Sequence, residues 1–239
     1  MENASKALII AGSVLMAMMV IGAMVLMYNQ ISSIEQIKTE NADIKKMQDY
    51  SKRFEEYNRT IYGSELFSIA NLQEDYNKRF NEEDGYTAIT ITVNIKNSIP
   101  DSEYFKKGNS NLATILRYKN EIEKEIEKCE NEKFFKNKGQ TIKYYSQLTI
   151  RELVDKLKND QILDEEFDYN SSDTEDDIKN AIESAQNGKC KGLFKKIDEY
   201  KNLNTTYKEF KYKRFKCTKI ELNKYNGRIE KMSFEEIER

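Results

Sequence analysis

The chain has 239 residues, and its 39 Lys and Arg against 41 Asp and Glu leave a net charge of −2. A chain so balanced is not a polyanion binder over its whole surface. With no His it lacks Ser-His-Asp and Cys-His nucleophilic sets and His-based metal sites, and its nine Gly form neither a GxGxxG nor a GxxxxGK phosphate loop.

The run Ala7–Met27, "ALIIAGSVLMAMMVIGAMVLM", holds no charge in 21 residues. A helix rises about 1.5 Å per residue and the hydrocarbon core is about 30 Å thick, so about 20 apolar residues cross it. The spacing predicts a short N-terminus over residues 1–6 and an uncleaved transmembrane helix over residues 7–28. The rivals are a buried core helix and a cleaved signal peptide, whose apolar core is about 7–15 residues long and ends at a small-x-small site. Ala7 with Ala11 and Ser13 with Ala17 are small-xxx-small pairs of the kind that let helices approach in lipid. Any run rich in Ala and Gly contains such pairs by chance. Five of the eight Met lie in the run and read as flexible lipid-compatible filler. The N-side carries Lys6, the amino terminus and Glu2, and the first fifteen residues after Met27 carry only Lys38, with Lys45 and Lys46 soon after, so the positive-inside count is close to a tie. A short N-terminus before one span and a large domain favours a signal anchor, with the bulk of the chain outside the cytoplasm.

Ile31, Ile34, Ile37, Ile44, Met47, Phe54 and Tyr57 continue at helical spacing and predict a helical stalk over residues 29–62. "RTIYGS" breaks it, with Gly63 supplying turn freedom and Ser64 an N-cap. A second helix carries Leu66, Ile69, Ala70, Gln73, Tyr76 and Phe80. "GYTAITITVNIKN" then alternates, predicting a half-buried strand over about residues 86–96, with Pro100 at its exit. Leu112, Ile115, Leu116, Ile122, Ile126 and Cys129 form a helical stripe. Thr149 with Glu152 reads as a capping box, as does Ser172 with Glu175, and Gly188 as a helix stop. At the end, Phe210, Tyr212, Phe215, Cys217, Ile220 and Leu222 alternate with two slips of parity, predicting a bulged strand. Asn226-Gly227 predicts a two-residue turn into a return strand with Ile229, Met232 and Phe234.

The expected architecture is α+β. A head over residues 63–239 holds a small antiparallel sheet, made of the 86–96 strand and the C-terminal hairpin and covered by helices. A mostly helical insertion spans about residues 101–204.

No catalytic, cofactor-binding or metal-ligating residue emerges, and the chain reads as a non-enzyme without a cofactor. Forty-one acids make any chosen carboxylate pair uninformative. "DYNSSDTEDDIK" places Asp168, Asn170 and Ser172 at calcium-loop positions, but Asp173 stands where Gly is needed and Lys179 where Glu is needed; an acidic helix start explains it. Cys129, Cys190 and Cys217 form no CxxC, leaving Cys190 with Cys217 as one conceivable bridge. The Asn-x-Ser/Thr matches at Asn58, Asn170 and Asn204 read as chance. Charge is segregated: residues 159–183 hold ten acids and one Lys, and residues 189–219 hold eleven Lys or Arg and three acids. The basic stretch, interleaved with Tyr and Phe, reads as the solvent face of a strand, as a nucleic-acid contact, or as the partner of the acidic stretch in a second copy.

One apolar N-terminal helix running into a stalk and an α/β head resembles the plan of type IV pilin-like proteins. The opening "MENASKALIIAGSVLMAMMVIGAMVLMYNQ", with Gly63-Ser64 and Tyr225–Ile229, is similar to uncharacterised single-pass membrane proteins of low-GC Gram-positive bacteria. Abundant Lys, Glu, Asn, Ile and Tyr suits an AT-rich bacterial genome. The prepilin Gly before the run and the Glu inside it are absent, and no functional residue carries over.

The expected function is therefore a membrane-anchored bacterial protein with a structural or interaction role, its partners being the bilayer through residues 7–28 and another copy of itself. The alternatives are a membrane-tethered module binding a solute or protein, and a cytoplasm-facing anchor whose basic arm touches nucleic acid.

Overall fold

The structure is a computed structural model that describes residues 2–80, 87–136, 139–170, 172–224 and 227–238. In the first helix it describes the side chains of residues 12–30, 42 and 44 onward. The chain forms two units: residues 1–53 with 223–228, and residues 54–222 with 229–239.

The first unit is one long helix, α1 (Glu2–Ser51), and the tip of the C-terminal hairpin. Within it, Gly12–Gln30 is long and apolar enough to cross a membrane. Every described side chain of that stretch is exposed, Met16 at 74% and Leu26 at 65%. The Ala7–Ala11 pair lies outside the described side chains. Helix α1 ends at Ser51, followed by a 3-10 turn (Lys52–Tyr57), so the stalk helix stops short of Phe54 and Tyr57. At the hairpin tip, Asn223 N–H donates to Arg228 O at 2.8 Å and Gly227 takes φ +67°. Of the expected turn pair Asn226-Gly227, Asn226 lies outside the described residues, as does its neighbour Tyr225.

The second unit is an α+β head. Its elements run β1 (Thr60–Tyr62), α2 (Gly63–Arg79), β2 (Thr90–Ile95), β3 (Gly108–Asn111), α3 (Leu112–Asn131), α4 (Ile142–Ser146), α5 (Ile150–Asn159), α6 (Glu175–Ser184), α7 (Leu193–Tyr212), β4 (Arg214–Leu222) and β5 (Ile229–Ile237). The sheet order is β1-β4-β5-β2-β3. The expected strand occupies 90–95, and residues 81–86 lie outside the described residues. Its neighbours correct the small antiparallel sheet: β2 pairs parallel with β5 and antiparallel with β3, so a five-stranded mixed sheet results. Alternation in a strand states which face is buried and is silent on direction and neighbour. The expected bulge is present, because the β4–β5 register shifts between Cys217 and Lys219. Phe210 and Tyr212, however, belong to α7. The other slip of parity is thus the helix-to-strand junction at Lys213, and the helical region passes residue 204.

On the covered face, Ile91, Val93 and Ile95 are fully buried, as are Phe215, Met232 and Phe234 from the neighbouring strands. Helices α2, α3 and α7 contribute Leu66, Ile69, Tyr76, Leu112, Ile115 and Phe210. Phe210 stacks on Phe105 at 3.8 Å between ring centroids and on Phe67 at 5.3 Å, and meets Phe215 at 5.7 Å. Phe105 holds φ +50°, a costly position for a bulky residue; the ring stack around it offsets that strain. Asn77 satisfies both backbone groups of Ile89: its Oδ1 accepts from Ile89 N–H at 3.0 Å and its Nδ2 donates to Ile89 O at 3.2 Å. A side-chain amide thereby acts as a strand neighbour where β2 begins.

A second core lies under α4, α5 and α6 against the start of α7, built from Ile142, Tyr145, Leu153, Leu157, Ile182 and Cys190 among others. Thr149 caps α5 and Glu152 bonds back to its N–H at 2.8 Å, the expected reciprocal pair. The second capping box is two residues later than expected: Thr174, not Ser172, caps α6, with Asp177 as its partner. Helix α6 stops at Ser184, before Gly188, which sits in a 3-10 turn. Helices α3 and α7 run antiparallel along a seam of two charged hydrogen bonds. Tyr207 Oη donates to Glu123 at 2.6 Å, and Tyr200 Oη donates to Glu130 at 3.1 Å.

Helix α2 starts at Gly63 with Tyr62 as N-cap, its N–H donating to Glu65 at 2.9 Å, so Ser64 does not cap. Gly63 N–H donates to Lys213 O at 2.8 Å, and a Cβ on Gly63 would overlap the Phe210 carbonyl oxygen. Backbone cannot move aside as a side-chain tip can, so Gly63→Ala should cost about 3 kcal/mol. In thermal unfolding of the full chain this is a drop of roughly 6–12 °C, and an unchanged midpoint would contradict the contact. Burial, then the bond to Glu123, pushes the Tyr207 hydroxyl up to about 12. A group raised in the folded state stabilises below its unfolded pKa, near 10, and that contribution is lost as pH rises through the folded value. Between pH 10 and 12 the wild type should therefore lose stability faster than Tyr207→Phe, read as urea midpoints across that window.

Candidate interaction surfaces

The two charge blocks separate on folding. In the acidic block, local structure uses several carboxylates. Asp160 pairs with Lys156 at 2.6 Å, and Asp168 and Asp173 accept from the backbone N–H groups of Tyr169 and Asn170, both at 2.9 Å. Glu183 caps the start of α7, accepting from Gly192 and Phe194 at 3.1 and 3.3 Å. The residues of the calcium-like stretch thus bond to their own backbone, and Lys179 lies 3.4 Å from Asp176; Ser171 lies outside the described residues. No group of three His, Cys, Asp or Glu among the described residues is arranged to hold a metal. An exposed shoulder lies between α5 and the first turn of α6, made of Asp164, Glu165, Glu166, Asp168, Glu175 and Asp176, of which Asp164, Asp168 and Asp176 are bonded locally. Among the described residues Glu165, Glu166 and Glu175 have no ion-pair partner.

The basic block is not one arm, a correction to the sequence reading. Its first part is helical: Lys196 pairs with Glu132 at 3.5 Å and Lys211 lies over the Tyr207 ring at 5.2 Å. Its second part is β4, where Lys216 and Lys219 point away from Phe215 and Ile220 onto the open face of the sheet.

That open face is built in rows by the strand register. Lys219, Ser233, Thr92 and Asn111 form one row, Lys216, Glu235, Asn94 and Asn109 a second, and Glu221, Lys231 and Thr90 a third. Thr92 and Ser233 hydroxyls lie 3.1 Å apart across β2 and β5. Glu235 pairs with Lys96 at 3.1 Å, and Glu221 with Lys219 at 2.5 Å and Lys231 at 3.5 Å. Four cations, Lys96, Lys216, Lys219 and Lys231, thus stand over two carboxylates, and Lys216 has no ion-pair partner among the described residues. All four are exposed, as are Thr90, Thr92 and Thr218.

A groove of about 590 Å³ runs between α2 and α3. Ala70 and Leu116 are buried at its floor, and Gln73, Asn77, Asn120 and Lys124 rise at its rim. The pairs Glu74–Lys78 (2.6 Å) and Arg117–Glu121 (3.9 Å) each lie along one helix, so neither bridges the opening.

A smaller hollow of about 330 Å³ at the end of the sheet contains the most buried ion pair among the described residues, Lys213 with Glu236. The pair is fully engaged. Glu236 accepts from the N–H groups of Lys96 at 2.8 Å and Asn97 at 3.1 Å, and Lys213 Nζ donates to Glu236 at 2.5 Å and to Asn97 O at 2.8 Å. It fastens the exit of β2 to β5 and to the α7–β4 junction. Sequence reading missed it, since Glu236 occupies an inward position of a strand that otherwise alternates apolar-in.

All three cysteines are free thiols, Cys129 and Cys190 buried and Cys217 half-buried. The Cys190–Cys217 bridge is not formed. Burial pushes all three thiols up, Cys190 to about 11, so none is an activated nucleophile. No family model, curated protein or solved structure matches the chain.

Removing one partner from a buried ion pair strands the other, typically at about 3–5 kcal/mol. Glu236→Ala should therefore lower the urea midpoint by that order, whereas Glu165→Ala on the exposed shoulder should leave it within about 0.5 kcal/mol. Equal effects would contradict the burial assigned to Glu236.

Proposed function

We propose that the protein is held in a membrane by the apolar part of α1 and carries its α+β head outside the cytoplasm. The head acts by contact and not by chemistry, as a subunit or anchor of a surface assembly of the pilin-like plan. The observation that carries this reading is the exposure of Gly12–Gln30. Each fully buried large apolar side chain is worth about 1.5–3 kcal/mol relative to water. An uncovered stretch of this length has a strong drive into hydrocarbon, and its length matches the bilayer core. The non-enzymatic part is supported by the absence of His from the chain and by engaged polar groups: Glu236, Lys213 and, in the acidic block, Asp160, Asp177 and Glu183 serve the fold. A second reading, a tethered binding module, is favoured by the α2–α3 groove, whose apolar floor at Ala70 and Leu116 lies beside the Asn120 amide and suits a small, largely apolar ligand.

Anchoring is tested by alkaline carbonate extraction of source cells with intact-mass analysis of the extracted chain. The expected result is full-length protein in the membrane pellet; soluble protein, or a chain lacking the first 30 or so residues, overturns it. Orientation needs an introduced, fully exposed thiol in a Cys217→Ser background, because Cys129 and Cys190 are buried and Cys217 is half-buried. Lys201→Cys should react with a membrane-impermeant maleimide in intact cells, and reaction only after lysis would place the head in the cytoplasm.

A further inference from the structure

We propose that the open sheet face binds the acidic shoulder of a second copy of this chain, so that heads associate head to tail. The inference rests on the anchored reading above. The face is hydroxylated and cationic, with Lys96, Lys216, Lys219 and Lys231 over Glu221 and Glu235, and Lys216 is without an ion-pair partner among the described residues. The shoulder supplies the opposite sign, with Glu165, Glu166 and Glu175 exposed and unpaired among the described residues. The two cannot meet within one head. Helices α2, α3 and α7 cover the inner face of the sheet, and α5 and α6 pack into the second core beside α7. The shoulder therefore lies on the helix side and the cationic rows on the other. Two different patches on opposite sides form a heterologous contact, which repeats without closing unless the rotation happens to close a ring.

The size of the face sets the strength. Five strands about 4.8 Å apart and about six residues long present roughly 400–500 Å², below the roughly 800 Å² per partner of a stable complex. Such a contact is weak between free molecules. Tethering in one membrane raises the effective concentration toward the millimolar range, where a weak contact is occupied. Because the contact is between exposed charges, salt screens it.

The test uses full-length protein in phosphatidylcholine vesicles, mixing unlabelled and ¹⁵N-labelled copies, with a zero-length carbodiimide and mass spectrometry of bridged peptides. The expected result is mixed-isotope bridges joining Lys216, Lys219 or Lys231 to Glu165, Glu166 or Glu175, falling at least fivefold between 50 and 500 mM salt. Lys216→Glu/Lys219→Glu and Glu165→Lys/Glu166→Lys should each lose the bridges alone and recover them when the two variants are mixed. Bridges confined to single isotopes, bridges that survive either reversal, or failure of the mixture to restore them overturn the proposal. Flotation of the vesicles reads anchoring separately. Chains that float without bridging overturn the contact alone. Chains that do not float overturn the anchored reading, and the same bridging assay at millimolar protein then decides the contact.

Discussion

The head depends on one aromatic joint. Phe67 of α2, Phe105 of the segment before β3 and Phe215 of β4 gather around Phe210 of α7, the first two stacked on it and the third tilted. Gly63 allows α2 to begin against the Phe210 carbonyl, and Lys213 follows three residues later to meet Glu236. The start of α2, the turn from α7 into β4 and the end of β2 are thus defined at one place. Aromatic pairs contribute about 0.5–1.5 kcal/mol each beyond the area they bury, so the joint both seals the core and orients the elements that cross it.

Much of the fold was legible from local pattern. The stripe of α3, the Thr149–Glu152 box and the alternation of β2 each depend on residues within a few positions of one another, and each is present. The failures share a cause. Phe210 and Tyr212 alternate with each other but are out of phase with Phe215, and Leu193, Ile197, Tyr200, Tyr207 and Phe210 keep a helical period that reaches them; two alternating residues are too few to outweigh it. At α6, Thr174 with Asp177 competes with Ser172 with Glu175, and the later pair prevails with its own reciprocal bonds. The parallel β2–β5 pairing, the edge strands β1 and β3, and the Glu236 network join residues distant in sequence, and no local spacing records such partners.

The candidate surfaces were legible only as charge. Composition announced an acidic and a basic block but placed neither. Folding divides the basic block between α7, where Glu132 and the Tyr207 ring engage Lys196 and Lys211, and β4, where Lys216 and Lys219 join Lys96 and Lys231 from other strands. The acidic block is likewise thinned by capping until an exposed shoulder remains. The surfaces that result are properties of the register and not of either stretch alone.

The route by which the chain enters the head has a mechanical consequence. Covalently, tension along α1 reaches the head through Phe54, which is buried edge-on to Tyr76 at 6.2 Å, and then through β1. That strand has three residues and pairs with β4 alone. Along the covalent path this short edge ladder comes before the four remaining strands. Peeling β1 would lengthen the lead from α1 by a few residues while leaving β4, β5, β2 and β3 joined, so this edge is where the sheet gives first along the chain.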